Sequence, residues 1–285
     1  MKVLVTGANG QLGLDLLDEF ADAHVVGLAH ADLDVADEAA VVAALRDHEP
    51  DLVIHAGAWT DVDGCELDPD RAHAVNALGS WWVARACRLT RATMVMVSTD
   101  YVFDGRGTRP YTEFDPTAPV SAYGRSKDAG EQLVRATLRE HAIVRTAWVC
   151  GARGKNFVRT MLRVGAEQGR ARVVDDQVGS PTFTRDLAAA IREVAVSGRY
   201  GTFNRTNSGT CSWFEFAAAV FELGGLDVEL SPMKSSELDR PAPRPAYSVL
   251  SDRHSVLSGL REMPHWRDGL ARLLDELADE VGAAA

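Results

Sequence analysis

A tyrosine and a lysine stand four residues apart in SAYGRSK, residues 121–127. On a helix that spacing puts Tyr123 and Lys127 on one face, one turn apart. A free phenol has a pKa of about 10 and is a poor acid at neutral pH; a neighbouring ammonium favours its ionised form. The pair therefore reads as a proton donor with its own pKa depressor, and Lys127 could also hold a ribose by hydrogen bonds. A second chemical group stands upstream in STDYVF, residues 98–103, where Ser98, Thr99 and Asp100 follow an apolar run. A hydroxyl there could bind a substrate carbonyl oxygen and stabilise the charge that develops on it.

Such groups act together only if elements bring them to one place. The first 150 residues alternate short apolar runs with helical patterns. KVLVT (2–6), HVVGLA (24–29), LVIHAG (52–57), TMVMVS (93–98) and AIVRTAWV (142–149) read as strands. Residues 10–22, 37–48, 69–90 and 122–140 read as helices. This rhythm predicts repeated βαβ units: an α/β fold with a Rossmann-like, doubly wound parallel sheet. A dinucleotide-binding domain is expected over 1–150, also receiving parts of 183–210. A smaller, mainly substrate-binding lobe is expected over 151–285, with helices at 156–168, 184–196, 212–223 and 265–280. RPAPRPAY (240–247) reads as a Pro-rich loop, and the only other low-complexity stretch is the final Ala-Ala-Ala.

TGANGQLG (6–13) sits between the first strand and the first helix, with glycines at 7, 10 and 13. Glycines allow a tight turn and close approach of backbone to a pyrophosphate, and the helix N-terminus offers free N–H groups. The turn therefore predicts dinucleotide binding. Its spacing differs from the standard G-x-G-x-x-G. The second strand runs into His30 rather than an acidic residue, with Asp32 and Asp34 shortly after. NADPH or NADH both remain open, NADPH slightly favoured. Asp34 and Val35 are placed near the adenine, while Asp37 reads as a helix N-cap. The small residues after the third strand, in HAGAWTDVD (55–63), would let a cofactor lie close.

A net charge of -11 argues against a broad nucleic-acid surface. No apolar run is long enough to span a membrane, and the leading apolar run is too short for a signal-peptide core. Cys65, Cys87, Cys150 and Cys211 show no C-x-x-C spacing, so a reducing cytoplasm is expected. Cys150 reads as a small buried residue rather than a reactive thiol. His55, His73, His141 and His265 lack paired-ligand spacing and read as structural or surface residues; Asp15 has no visible companions, so no metal is expected. Trp81 and Trp82 read as core or dimer-face residues, and the chain as a monomer or homodimer.

TGANGQLG, STDYVFDG and YGRSK together resemble the extended short-chain dehydrogenase/reductases. VNALG (75–79), RTAWVCGARGKNFVRTML (145–162), VVDDQVGSPT (173–182), SWFEFA (212–217) and RPAPRPAYSVLS (240–251) narrow the resemblance to the dTDP-4-dehydrorhamnose reductases, over nearly the full chain. That resemblance implies NAD(P)H-dependent reduction of the 4-keto group of a nucleotide sugar. It implies that Tyr123 donates the proton and also contacts the cofactor, that Lys127 lowers its pKa and holds the cofactor ribose, and that Thr99 polarises the carbonyl. Asp100, Trp148 and Arg244 would then meet the substrate. Gly7, Gly10, Gln11, Leu12 and Gly13 would line the pyrophosphate; His30, Asp34 and Val35 the adenosine end; and Ala58, Trp59 and Thr60 the cofactor's middle. Tyr101 stands where the related 4,6-dehydratases carry a glutamate, which favours simple ketone reduction. Two alternatives stay open: a 4-ketoreductase of another deoxysugar nucleotide, such as a dihydrostreptose-forming enzyme, and a non-catalytic dinucleotide-binding subunit.

Overall fold

Apolar residues alternating with period two can feed two helical layers from one sheet, because successive side chains point to opposite faces. The computed structural model describes residues 1–282, so the final Ala-Ala-Ala lies outside the described residues. Its first half contributes β1 (Lys2–Thr6), β2 (His24–Leu28), β3 (Leu52–His55), β4 (Thr93–Thr99) and β5 (His141–Thr146). The second half contributes β6 (Val149–Cys150), β7 (Arg170–Val174), β8 (Val178–Gly179), β9 (Thr182–Phe183), β10 (Gly201–Asn204), β11 (Cys211–Ser212) and β12 (Glu229–Met233). The helices are α1 (Gln11–Glu19), α2 (Glu38–His48), α3 (Val62–Leu67), α4 (Pro69–Ala72), α5 (Gly79–Thr90), α6 (Ala122–Thr137), α7 (Phe157–Gln168), α8 (Thr184–Val196), α9 (Trp213–Leu223), α10 (Arg253–Leu257) and α11 (Trp266–Gly282).

Among the described residues, the main sheet runs β10-β5-β4-β3-β1-β2, and every neighbouring pair is parallel. Val3, Val5, Leu52, Ile54, Val95, Ala142 and Val144 pack on α1 and α8. Their alternates Leu4, Val53, Met94, Met96 and Ile143 pack on α2, α5 and α6. Helices thus cover both faces, as expected of a Rossmann-like, doubly wound sheet. Each fully buried aliphatic side chain contributes about 1.5–3 kcal/mol. Strand order reverses between β1 and β3, and the crevice at their carboxyl ends is where such sheets bind ligands.

The structure departs from expectation in several places. The helix expected over 69–90 is interrupted: α4 and α5 are joined by a π-helical turn, His73–Leu78. The helix expected over 122–140 stops at Thr137, where Leu138 turns extended. The run 142–149 breaks after Thr146, because Trp148 takes the left-handed conformation (φ 48°). α3, β10 and the parallel pair β7–β12 carried no readable pattern. These are short or half-exposed segments whose strand partners lie far along the chain. Asp37 does cap α2, accepting from the N–H groups of Ala39 and Ala40.

The second half folds around its own core, in which Val158, Met161 and Leu162 of α7 meet Phe216 and Val220 of α9 and Leu270 and Leu273 of α11. The Pro-rich segment links the two cores. Tyr247 N–H donates to Gly105 O, Ser248 N–H to Val178 O and Val178 N–H to Ala246 O. No helix among the described residues is long and apolar enough to cross a membrane.

Candidate active site

The glycine-rich turn leaves the switch-point end of β1. Gly7 has φ 69°, and a Cβ there would lie 2.8 Å from the Gly57 backbone. A Cβ on Gly13 would lie 2.2 Å from Gly7 O. A side chain at Gly7 would push the turn away from the end of β3, and one at Gly13 would push α1 off the turn. No side chain caps α1 at Gly10, so its first N–H groups face the crevice unclaimed by a capping group. A bare helix start, a tight glycine turn and a parallel switch point together fit the pyrophosphate of a dinucleotide. Gln11 turns its side chain aside, and its Oε1 accepts from Gly151 N and Asn156 Nδ2. That bond fastens the turn to the second half. Leu12 is buried in the sheet core.

Beyond β2, His30 and Asp34 are exposed, while Val35 is buried against Gly79. Asp32 accepts from Ala29 N, closing the loop on itself. Past β3, the backbone at Trp59 is held from both sides: Asn76 Oδ1 accepts from Trp59 N at 2.8 Å and Asn76 Nδ2 donates to Trp59 O at 3.0 Å. Ala58 and Trp59 are half-buried and Thr60 is exposed. The Asn76 amide also donates to Ser126, on the helix that carries Tyr123.

α6 begins at the Ser121 cap and presents Tyr123 and Lys127 on its buried face. Tyr123 is 8 % exposed and Lys127 2 %. Tyr123 faces the Thr99 hydroxyl at the end of β4. Lys127 Nζ donates to Val97 O at 2.8 Å. Burial lowers the Lys127 pKa to about 8, with Glu131 pulling upward. Burial also raises the Tyr123 pKa above that of a free phenol; the Asp100 charge adds to this and the Thr99 hydroxyl opposes it. The net direction is thus opposite to the depression expected from Lys127. A phenol that keeps its proton at neutral pH is the state a proton donor requires.

Of the two hydroxyls on this edge, Ser98 is already committed: its Oγ donates to Glu131 at 2.6 Å. Thr99 Oγ1 donates to Asp100 at 2.9 Å and faces the phenol. Asp100 is buried, which pushes its pKa up to about 6 against the opposing pull of the Ser248 and Thr99 hydroxyls. Tyr101 packs edge-on to Tyr123, ring centroids 5.5 Å apart. Trp148 stacks on Trp213 of α9 and backs onto Gly179, where a Cβ would lie 2.5 Å from the indole. Arg244 is not a solvated loop arginine. Its guanidinium grips Asp63 with two hydrogen bonds, one of 2.7 Å, and pins the Pro-rich segment to α3.

His55 is buried and its pKa falls to about 3, because burial and the Lys127 charge both oppose protonation. Its tautomer follows from its neighbours. Gly57 N–H donates to Thr6 Oγ1, whose hydroxyl donates to His55 Nδ1; Nε2–H then donates to Ser80 Oγ, which donates to Asn76 O. This chain braces β1 and β3 against the π-helical turn, a structural role. Asp15 is paired with Arg153 at 2.6 Å. Cys150 is buried beneath α7 and its thiol is pushed up to about 12, which leaves it protonated and inert.

A family model described as the RmlD substrate binding domain matches residues 1–279. The chain belongs to the RmlD family. Among its RmlD-family relatives, the dTDP-4-dehydrorhamnose reductase of Mycobacterium tuberculosis is 45% identical over 282 residues, covering 96% of this chain and 92% of that protein. A crystal structure of a dTDP-4-dehydrorhamnose reductase from Clostridium acetobutylicum superposes with a TM-score of 0.95 at 42% identity, covering 98% of this chain and 100% of that one. A Bacillus anthracis dTDP-4-dehydrorhamnose reductase, solved in complex with NADP, gives a TM-score of 0.94 at 40% identity, covering 96% and 99%.

In this RmlD-family chain, sequence reasoning overlooked three residues around the site. Glu131 stands eight residues after Tyr123, an acid on the buried face of an amphipathic helix, and that placement was its signal. Asn76 lies inside VNALG, but its grip on Trp59 left no local trace. Trp213 is the second residue of SWFEFA, and only the fold brings it to Trp148.

Proposed function

We propose that this chain reduces the 4-keto group of dTDP-4-dehydro-L-rhamnose to give dTDP-L-rhamnose, with NADPH or NADH as reductant. The observation that carries this reading is the meeting of Thr99 and Tyr123 at the carboxyl edge of β4, with Lys127 one helical turn below. Family membership and the names of the relatives support the substrate and the reaction. The NADP bound to the Bacillus anthracis relative supports NADPH.

The residues divide the work as follows. Gly7, Gly10 and Gly13, with the first N–H groups of α1 at Gln11 and Leu12, hold the pyrophosphate. His30, Asp34 and Val35 border the adenosine end, and Ala58, Trp59 and Thr60 the middle. Lys127 hydrogen-bonds the ribose. The reduced nicotinamide supplies the hydride when bound. Thr99, whose hydroxyl donates to Asp100 in this structure, turns that proton to the 4-keto oxygen and draws charge onto it. As that oxygen becomes an alkoxide, Tyr123 gives it the phenolic proton. The phenolate left behind is stabilised by the Lys127 ammonium until solvent returns a proton. Asp100, Trp148 and Arg244 position the nucleotide sugar; Arg244 would engage it from its place beside Asp63. The division of labour assigns cofactor binding to residues 1–150 with parts of 183–210, and substrate binding mainly to 151–285. Four buried free cysteines suit a reducing cytoplasm.

The deciding experiment follows the absorbance of NADPH and of NADH while the keto-sugar is generated in situ, for wild type and Tyr123→Phe. Cofactor oxidation that requires the keto-sugar and collapses in the variant supports the reading. Binding of cofactor without turnover of the keto-sugar would remove it.

A further inference from the structure

Glu131 lies on the buried face of α6, four residues after Lys127 and eight after Tyr123, and is 0 % exposed. A carboxylate in such a place is costly unless donors surround it. Its Oε1 accepts from Ser98 Oγ at 2.6 Å and Arg145 Nε at 2.9 Å. Its Oε2 accepts from Arg145 Nη2 and Arg135 Nη2, each at 2.6 Å. Ser98 and Arg145 are register partners across β4 and β5. Each directly precedes a threonine at the carboxyl edge, Thr99 and Thr146. Val97, one residue further back on β4, accepts the Lys127 ammonium. One carboxylate therefore ties the helix of Tyr123 and Lys127 to the strand of Thr99.

The charges point the same way. Lys127 and Arg145 are both buried cations; Glu131 bonds Arg145 directly and acts on the Lys127 charge through space. Stability alone does not require such a cluster, since apolar residues of similar volume often replace buried ion pairs without loss.

We propose that Glu131 is a positioning residue for the reaction: it holds Lys127 and Thr99 in register with Tyr123 and is the countercharge of the Lys127 ammonium. The inference rests on the ketone-reduction reading above. Lys127 is met by Val97 O on β4, which accepts its hydrogen bond, by the charge of Glu131 on its own helix and by His55 on β3; Arg145 and Arg135 bond Glu131 from the other side. His55 is neutral and Tyr123 keeps its proton. Glu131 supports the Lys127 charge against the effect of burial.

The test is Glu131→Gln, which keeps the shape and an acceptor but removes the charge. The expected result is a kcat lowered about 10–100-fold at neutral pH, with KM values within about threefold of wild type. The alkaline limb of the rate profile should move to lower pH by about one unit. NADPH binding, followed by cofactor fluorescence, should weaken at a correspondingly lower pH than in wild type. That titration needs no turnover, so it decides the Glu131 proposal even if wild type leaves the keto-sugar unreduced, an outcome that would count only against the reduction reading. An unmoved binding midpoint in Glu131→Gln overturns the proposal. Should that variant not fold, Ser98→Ala keeps every charge and removes one tether. It should lower kcat about 10-fold with an unshifted pH profile, and a wild-type kcat would overturn the positioning role.

Discussion

The indole of Trp148 lies face to face with that of Trp213, ring centroids 3.6 Å apart and planes 9° from parallel. Trp148 follows β5 of the main sheet, and Trp213 opens α9 of the second half. The stack therefore joins the two cores beside the carboxyl edge. It also holds Trp148 in a left-handed backbone conformation that a bulky residue adopts only when its surroundings enforce it. Trp213→Ala should raise the keto-sugar KM about 10-fold while NADPH binding stays as in wild type. The lost stack and packing should also cost about 2–3 kcal/mol of stability, readable in a denaturant titration.

The phosphate turn gives a sharper steric test. A Cβ at Gly13 would meet Gly7 O at 2.2 Å, which is backbone and cannot yield as a flexible side chain would. Gly13→Ala should lower stability by about 1–3 kcal/mol through overpacking and weaken NADPH binding at least about 10-fold. Fluorescence titration and thermal melts would check the two parts separately. NADPH affinity equal to wild type would argue against pyrophosphate binding at this turn.

Loss of the catalytic groups should separate by size. Tyr123→Phe removes the proton and should lower kcat about 10²–10⁴-fold. Thr99→Ala removes one donor to the developing oxyanion and should cost about 10²–10³-fold. Both should leave cofactor affinity close to wild type, because neither side chain is placed on the pyrophosphate. Steady-state kinetics with cofactor titrations would show this pattern.

Two pH effects follow from burial, with different signs. The folded Asp100 pKa is raised to about 6, so its protonated form suits the fold. The stabilisation this brings is present below the unfolded carboxyl pKa and is lost as pH rises through about 6. Asp100→Asn keeps a neutral group of the same shape. It should therefore be more stable than wild type above pH 6 by roughly 2–3 kcal/mol, and no more stable near pH 4. Melting temperatures across that range would check it.

Lys127 carries the second effect. Its pKa is lowered to about 8, so its ammonium is lost as pH rises through that value. Turnover by wild type should fall on the alkaline side with a midpoint of about 8, well before a free lysine would titrate. A rate profile level to about pH 10 would contradict a working role for that charge.

Much of the fold could be read directly. Strands β1, β3 and β4 show near-continuous apolar runs because both faces are covered by helices, and glycine or polar residues mark where they stop. The Gly7-Gly10-Gly13 turn, the Asp37 cap and the Tyr123–Lys127 pair are equally legible, since each depends on residues within one or two turns of each other. The interruption at His73–Leu78 was not, because the residues on either side keep an ordinary helical composition. Nor was Trp148, whose backbone conformation answers to Trp213 and Gly179 rather than to its chain neighbours.

By itself, the sequence determined the layer order, the phosphate turn and the face that presents a phenol over an ammonium, because periodicity and turn chemistry act locally. Tertiary structure alone decided which hydroxyl faces the phenol. Ser98 and Thr99 are adjacent and chemically alike, yet Ser98 is spent on Glu131 and Thr99 faces Tyr123. It alone decided that Arg244 is tied to Asp63 and that β7 pairs with β12. It also set the proton on Tyr123, since burial outweighs the opposing hydrogen bond of the Thr99 hydroxyl. These outcomes depend on desolvation and on partners far along the chain, which residue types and spacing do not encode.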